Sequence, residues 1–259
     1  MIGKSKIRLV RSLEQKKFRR EERLFVAEGH KTIEELLPVF DCTFLAADKE
    51  WLSAHEAHVG ILKRKETEVE EVSAEELKRI SLLKTPQDML AIFRQPENHD
   101  VPEEIPATQL CLGLDGIQDP GNLGTIVRIA DWFGIKHIFC STDTADIYNP
   151  KTVQATMGAM ARVRVHYLSL TALLEKLGGK VPVYGTFLDG KDIYTQPLSE
   201  NGLIIMGNEG NGVSREIAEM TDRRLYIPNY PAGSPTSESL NVAVATAVVC
   251  AEFRRRLII

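Results

Sequence analysis

From residue 110 to about residue 256, short apolar runs alternate with stretches of helical periodicity, and this alternation constrains the fold more than any other feature. Leu110–Leu114 reads as a strand, Gly121–Phe133 as a helix and Lys136–Cys140 as a strand. Further strands fit 163–167, 182–186, 203–206 and 224–227, with helices between them and a long closing helix over about 239–256. Such alternation makes a mostly parallel sheet covered on both faces. Sheets of this kind hold ligands at the carboxyl ends of their strands.

The first 95 residues read as a smaller α/β unit. A basic amphipathic helix is expected over about 6–20, with Ile7, Val10, Leu13 and Phe18 on one side. Leu24–Ala27 is a strand, Gly29 breaks it before a helix over 31–37, and Thr43–Ala46 is a second strand. Ser73-Ala74-Glu75-Glu76 is a capping box opening a helix that ends near Leu83, and Met89–Phe93 is another strand. Pro96, Pro102 and Pro106 sit among polar residues and mark a linker over 96–108. The expected organisation is therefore 1–95, linker 96–108, and 109–259.

Composition leaves room for two cores: 259 residues, 43% of them hydrophobic. No apolar run approaches the roughly 20 residues of a membrane span, and the basic N-terminus leads into no apolar signal core. A cytoplasmic protein is expected. Cys42, Cys111, Cys140 and Cys250 are far apart and form no C-x-x-C pair, so they read as buried, reduced thiols and no metal site is expected. His55-Glu56-Ala57-His58 is not H-E-x-x-H and reads as a solvated helix face. The formal charge of −4 hides an asymmetry. Lys4, Lys6, Arg8, Arg11, Lys16, Lys17, Arg19 and Arg20 face one acid, Glu14, in the first twenty residues. That block carries +7, which leaves −11 on the other 239 residues. It suggests a local polyanion contact, with a solvated Lys-rich helix face as the alternative.

Three strand ends carry unusual loops. Asp115–Gly124 has three glycines in its last nine residues, which let the backbone bend sharply or approach a ligand. Asn122 stands near the start of the following helix and Arg128 lies two turns in; as alternatives, the first is an N-cap and the second a surface cation. The loop is neither a Walker loop nor G-x-G-x-x-G, so nucleoside triphosphates and dinucleotides lose ground. Gly207-Asn208-Glu209-Gly210-Asn211-Gly212 sets a carboxylate among glycines after Leu203–Met206. Ile227–Glu238, rich in Pro and Gly, leads through Ser239-Leu240-Asn241-Val242 into a helix of small apolar residues. Ser239 can cap that helix, and Asn241, a poor helix former, needs a local partner.

Asn122, Gly124, Arg128, Ala130, Phe133 and Gly134 form N-x-G-x-x-x-R-x-A-x-x-F-G, while Gly207, Glu209 and Gly212 form G-x-E-x-x-G. Ile227, Pro228, Gly233 and Ser239–Val242 supply I-P, a glycine and S-L-N-V. In this order the motifs resemble the SpoU (TrmH-like) family of RNA ribose 2′-O-methyltransferases, within the SPOUT superfamily. The stretch between Pro228 and Ser239 is longer than the family's usual one. Residues 1–95 also resemble the substrate-binding domain that often precedes this catalytic domain.

The resemblance implies a SPOUT-type α/β knot, a parallel sheet with a C-terminal trefoil knot. It implies S-adenosyl-L-methionine as cofactor, held near Met206, Gly207, Gly212, Ile227, Gly233, Leu240 and Val242. Its catalytic set is Asn122, Arg128, Glu209, Ser239 and Asn241. Asn122 would position the ribose, Glu209 would orient Arg128 or Asn122, and Ser239 and Asn241 would hold the loops. The resemblance implies Arg128 as the acceptor of the hydroxyl proton; a guanidinium with a pKa above about 12 is a poor base, and Arg128 could equally clamp the phosphate and stabilise an alkoxide. The implied partners are RNA, ribosomal RNA ahead of transfer RNA, gripped by the eight cations of the first twenty residues, and a second copy of the chain. A SPOUT base methyltransferase and a non-catalytic RNA-binding assembly factor stay open as alternatives.

Overall fold

The computed structural model describes residues 2–97, 103–231, 234 and 237–256. The first elements are α1 (Lys4–Ser12), α2 (Lys16–Glu22), β1 (Leu24–Glu28), α3 (His30–Leu36) and β2 (Cys42–Ala47). Then come α4 (Lys49–Ala54), α5 (Glu56–Arg64), β3 (Glu68–Glu71), α6 (Ala74–Ile80) and β4 (Met89–Arg94). The second series runs β5 (Leu110–Asp115), α7 (Pro120–Trp132), β6 (His137–Cys140), α8 (Pro150–Thr156), β7 (Arg164–Tyr167) and α9 (Leu170–Leu177). It closes with β8 (Val183–Asp192), β9 (Gly202–Gly207), α10 (Arg215–Glu219), β10 (Arg223–Tyr226) and α11 (Val242–Arg255).

The chain divides into two compact units, Met1–Asn98 with Asp146–Ala161, and His99–Ala145 with Arg162–Ile259. The first is built on a four-stranded sheet, β1-β4-β2-β3, in which only β2 and β3 run parallel. Val10, Leu13, Val26, Phe44, Ile80 and Ile92 form its core on one side. Segment 146–161, expected with the second half of the chain, packs here: α8 lies against β1, and Tyr148 sets its ring 5.0 Å from that of Phe25.

The basic segment is two helices rather than one over 6–20. The cause is Arg19, which is only 1% exposed. Its Nη1 donates to the carbonyls of Leu13 and Glu14 (2.9 and 2.7 Å), acceptors left over where α1 ends. Its Nε and Nη2 donate to Asp146 Oδ2 (3.0 and 2.7 Å). The capping box at Ser73 forms as expected, but α6 stops at Ile80, short of Leu83. The buried Glu28 carboxylate accepts from Ser81 Oγ and Leu82 N (2.6 and 2.8 Å), which pulls the chain out of the helix. Burial raises the pKa of Glu28, and these hydrogen bonds oppose the shift.

The second unit is a six-stranded parallel sheet, β10-β8-β9-β5-β6-β7. Every residue of the central strands β5 and β9 is buried, as continuous apolar runs in a doubly covered sheet require. On this sheet α7 and α11 pack against each other. The loops after β5 and β9 open at neighbouring carboxyl ends.

Candidate active site

Asp119 caps α7, its Oδ1 accepting from Asn122 N (2.8 Å), with Pro120 in the first helical position. Asn122 is thus in the first turn of α7 and is not its cap. The loop after β9 closes on itself through two backbone bonds between Asn208 and Gly212, each 2.9 Å. Gly212 sits at φ +70°, and a Cβ on Gly207 would lie 2.2 Å from the backbone of Gly212 and Val213. The glycine at 207 is therefore required by its own loop. Asn208 ties this loop to the one after β5, its Nδ2 donating to Gly116 O (2.6 Å). Asp115 Oδ2 accepts from Ser214 N (2.7 Å) and adds a second tie.

A chain of side-chain amides joins all three loops. Asn122 Nδ2 donates to Glu209 Oε1 (3.0 Å), and Asn122 Oδ1 accepts from Asn241 Nδ2 (3.0 Å). Asn241 is the N-cap of α11, its Oδ1 accepting from Ala243 N (3.0 Å) and Val244 N (3.3 Å). That is the local partner the sequence demanded for Asn241, and it takes the capping role from Ser239. Glu209 also accepts from Gln118 N (3.3 Å) and Asp119 N (3.4 Å), placing its carboxylate at the positive end of α7. All of these polar groups sit at or near the surface, within reach of a ligand.

The other expected residues are placed unevenly. Arg128 is exposed, with no hydrogen-bond or ion-pair partner among the described residues. Six helical residues turn it about 120° away from Asn122, so Glu209 orients Asn122 and does not touch Arg128. Ser239 is exposed, Leu240 is half exposed, and Val242 is buried at the start of α11. Met206 is buried at the end of β9, with Thr186 Oγ1 3.8 Å from its sulfur; Gly207 is buried, Gly212 exposed and Ile227 half-buried. Gly233 lies outside the described residues. Asp115, Gln118, Asp119 and Thr186 had no assigned part in the sequence reading, although Asp119-Pro120 is a recognisable helix start.

In the first unit Lys4, Arg8, Lys16, Lys17 and Arg20 are exposed, and Arg11 is exposed while donating to Arg79 O (2.9 Å). Lys6 turns inward, pairing with Glu68 at 2.6 Å over the Phe44 ring. Arg19 must be removed from the RNA-facing set, because its guanidinium is buried and makes four hydrogen bonds within this unit. Among the described residues no group of three or more His, Cys, Asp or Glu side chains can hold a metal ion. The arrangement provides fixed amides and a carboxylate to a polar ligand.

Residues 109–251 match the SpoU rRNA Methylase family, and residues 4–91 match the MRM3-like substrate binding domain. The 23S rRNA (guanosine(2553)-2′-O)-methyltransferase RlmP of Bacillus subtilis is 32% identical over 253 residues, 96% of each chain. A TrmH-family protein of Porphyromonas gingivalis has a solved structure 41% identical with TM-score 0.83, covering 99% of both chains. An AdoMet-bound rRNA methyltransferase of Sinorhizobium meliloti is 30% identical with TM-score 0.84, covering 97% of this chain and 94% of that one. The catalytic-domain match takes in all three tied loops, and the substrate-domain match takes in the basic helices. This chain belongs to the SpoU rRNA Methylase family.

Proposed function

We propose that the chain methylates a ribose 2′-hydroxyl of ribosomal RNA with S-adenosylmethionine, residues 109–259 carrying the reaction and residues 1–95 the RNA. The observation that carries this is the Glu209–Asn122–Asn241 chain, which fixes two amides among the three motif loops. The residues present suit the cofactor: the loops after β9 and before α11 offer backbone groups for its polar parts, and the half-exposed Leu240 offers an apolar side chain. When bound, the cofactor supplies a sulfonium-activated methyl group. Asn122 positions the ribose, held by Glu209 and Asn241. Arg128, exposed and without a partner among the described residues, clamps the adjoining phosphate and stabilises the developing charge on the 2′-oxygen, whose proton passes to solvent water. Arg128→Lys with near-wild-type turnover would remove that role.

Two finer features belong to the same reading. The final segment forms the trefoil knot: β10 lies two strands from β9, yet α11 returns to pack on α7 and brings Asn241 to Asn122. Two copies pair through α7 and α11, on which Trp132 is 85% exposed and Val244 52%. Among the described residues no helix is long and apolar enough to cross a membrane, and the reading requires the cytoplasm, where ribosomes assemble. The test is tritiated-methyl transfer to deproteinised ribosomal RNA, followed by alkaline hydrolysis. Label in alkali-resistant dinucleotides is expected; label on a base, or none, overturns the proposal.

A further inference from the structure

A groove of about 460 Å³ in the first unit is lined by Arg20, Arg23, Gln95, Glu97 and Tyr148, with Pro96 between them. That volume suits one small ligand. Lys16 and Arg20 stand four residues apart on one side of α2, and Arg23 follows its last residue. Arg20 is exposed and has no partner among the described residues. Arg23 ends α2 in the left-handed region (φ 53°, ψ 41°), where glycine is the unstrained choice. Among the described residues its guanidinium makes one hydrogen bond, Nη2 donating to Pro96 O (3.0 Å) at the surface, which contributes little.

The remaining walls are polar and fixed. Gln95 spends both amide protons on Arg19 O (2.9 Å) and Leu24 O (3.0 Å), so its Oε1 is left as an acceptor. Tyr148 rests one side of its ring on Phe25, and its hydroxyl has no partner among the described residues. Burial and the Asp146 charge push that phenol up to about 12, so it stays a donor. Two guanidiniums, an aromatic wall, a donor, one fixed acceptor and the exposed Glu97 carboxylate are the chemistry of a nucleotide site.

We propose that this groove holds one unpaired nucleotide of the substrate RNA, its phosphate on Arg20 and Arg23 and its base against Tyr148. Gln95 and Glu97 then accept from the base's exocyclic amino group, which favours an amino-bearing base over uracil. The assignment rests on the RNA-methylating reading above. It gives Tyr148, from the 146–161 segment, a place beside the basic helices.

The experiment uses the full chain, fluorescence anisotropy and labelled single-stranded RNA pentamers with a central adenosine, uridine or abasic residue. The wild type should bind adenosine best and abasic worst, by tenfold or more, since stacking of one base is worth about that. Tyr148→Leu should abolish the difference, and Tyr148→Phe should restore most of it. Arg23→Gly should raise the melting temperature, relieving the left-handed arginine, while weakening every pentamer several-fold. Equal binding of the adenosine and abasic pentamers by wild type, or unchanged affinity in Arg23→Gly and Tyr148→Leu, overturns the groove assignment. Ribose methylation of ribosomal RNA by wild type, measured in parallel, separates the two ideas. Active enzyme with indifferent variants removes the groove alone, whereas inactive enzyme removes the methyltransferase reading.

Discussion

Replacing Asp146 by alanine should destabilise the first unit severely, although residue 146 is some 50 residues beyond the rest of it in sequence. The Arg19 guanidinium makes four hydrogen bonds, two to helix-end carbonyls and two to Asp146 Oδ2. With Arg19 1% exposed and the Asp146 side chain 14% exposed, water can barely replace the lost carboxylate. Removing one partner of a buried pair costs about 3–5 kcal/mol, because a charge is left uncompensated. The slight exposure of Asp146 points to the lower end, about 3 kcal/mol, or on the order of 10 °C in Tm for a unit of this size. Urea and thermal unfolding, followed by a first-unit signal such as Trp51 fluorescence, would measure it. The sharper sign is non-additivity: Arg19→Met with Asp146→Ala should be more stable than Asp146→Ala alone, since no unpaired charge remains. A cost below 1 kcal/mol for Asp146→Ala, or a double variant that simply adds the two losses, would refute the reasoning. Arg19→Met that keeps its stability but loses RNA affinity would return Arg19 to the RNA-facing set.

Glu209→Gln offers one carbonyl oxygen where Glu209 uses two, so the loop amides and Asn122 compete for it; kcat should fall about 10- to 100-fold, read by methyl transfer under saturating cofactor. His166, hydrogen-bonded end to end with His137 (3.0 Å), has its pKa pushed down to about 4, chiefly by burial and then by His137 and Arg164. Its neutral form is the folded one, so that stabilisation is complete above about pH 6.5 and is lost as pH falls from there toward 4; Tm against pH should flatten in His166→Gln. Burial pushes Cys42, Cys111 and Cys250 up to about 12 and raises Cys140 as well, so all four thiols should resist an aromatic disulfide reagent until urea unfolds the chain.

The parallel sheet was legible because its strands are buried on both faces, and fully apolar runs such as Leu110–Leu114 have few alternatives. The edge strand β3 (Glu68–Glu71) was not, since Glu-Val-Glu-Glu has little strand preference and is held only by pairing with β2. Helix α4 also escaped, and α5 showed only as a solvated helix face at its start, because the two join at His55 with few fully buried side chains to mark a stripe. Asn122, Glu209 and Asn241 were legible as a set through the motifs they belong to. Their linkage was not, because residues 87 and 119 positions apart meet only once the strand ends are side by side. The same limit misplaced Arg19: charge pattern marks a cation as available, and only the fold reveals that Asp146 has taken it.

The polarity of the amide chain follows from its ends. At one end the first N–H groups of α11 can only donate, so Asn241 must turn Oδ1 toward them and Nδ2 away. That Nδ2 needs an acceptor, so Asn122 presents Oδ1 to it and is left with Nδ2 on its other side. At the far end Glu209, an ionised carboxylate, can only accept. Each amide is thus fixed in one of its two flips by groups that have no choice, which lowers the side-chain entropy that binding a ligand would otherwise cost. The helix that supplies the fixed donors is also the element whose return to α7 brings the third loop to the first. The motif residues, far apart in sequence, are therefore joined into one unit only when α11 is seated, which ties the three-loop amide chain to the completeness of the fold.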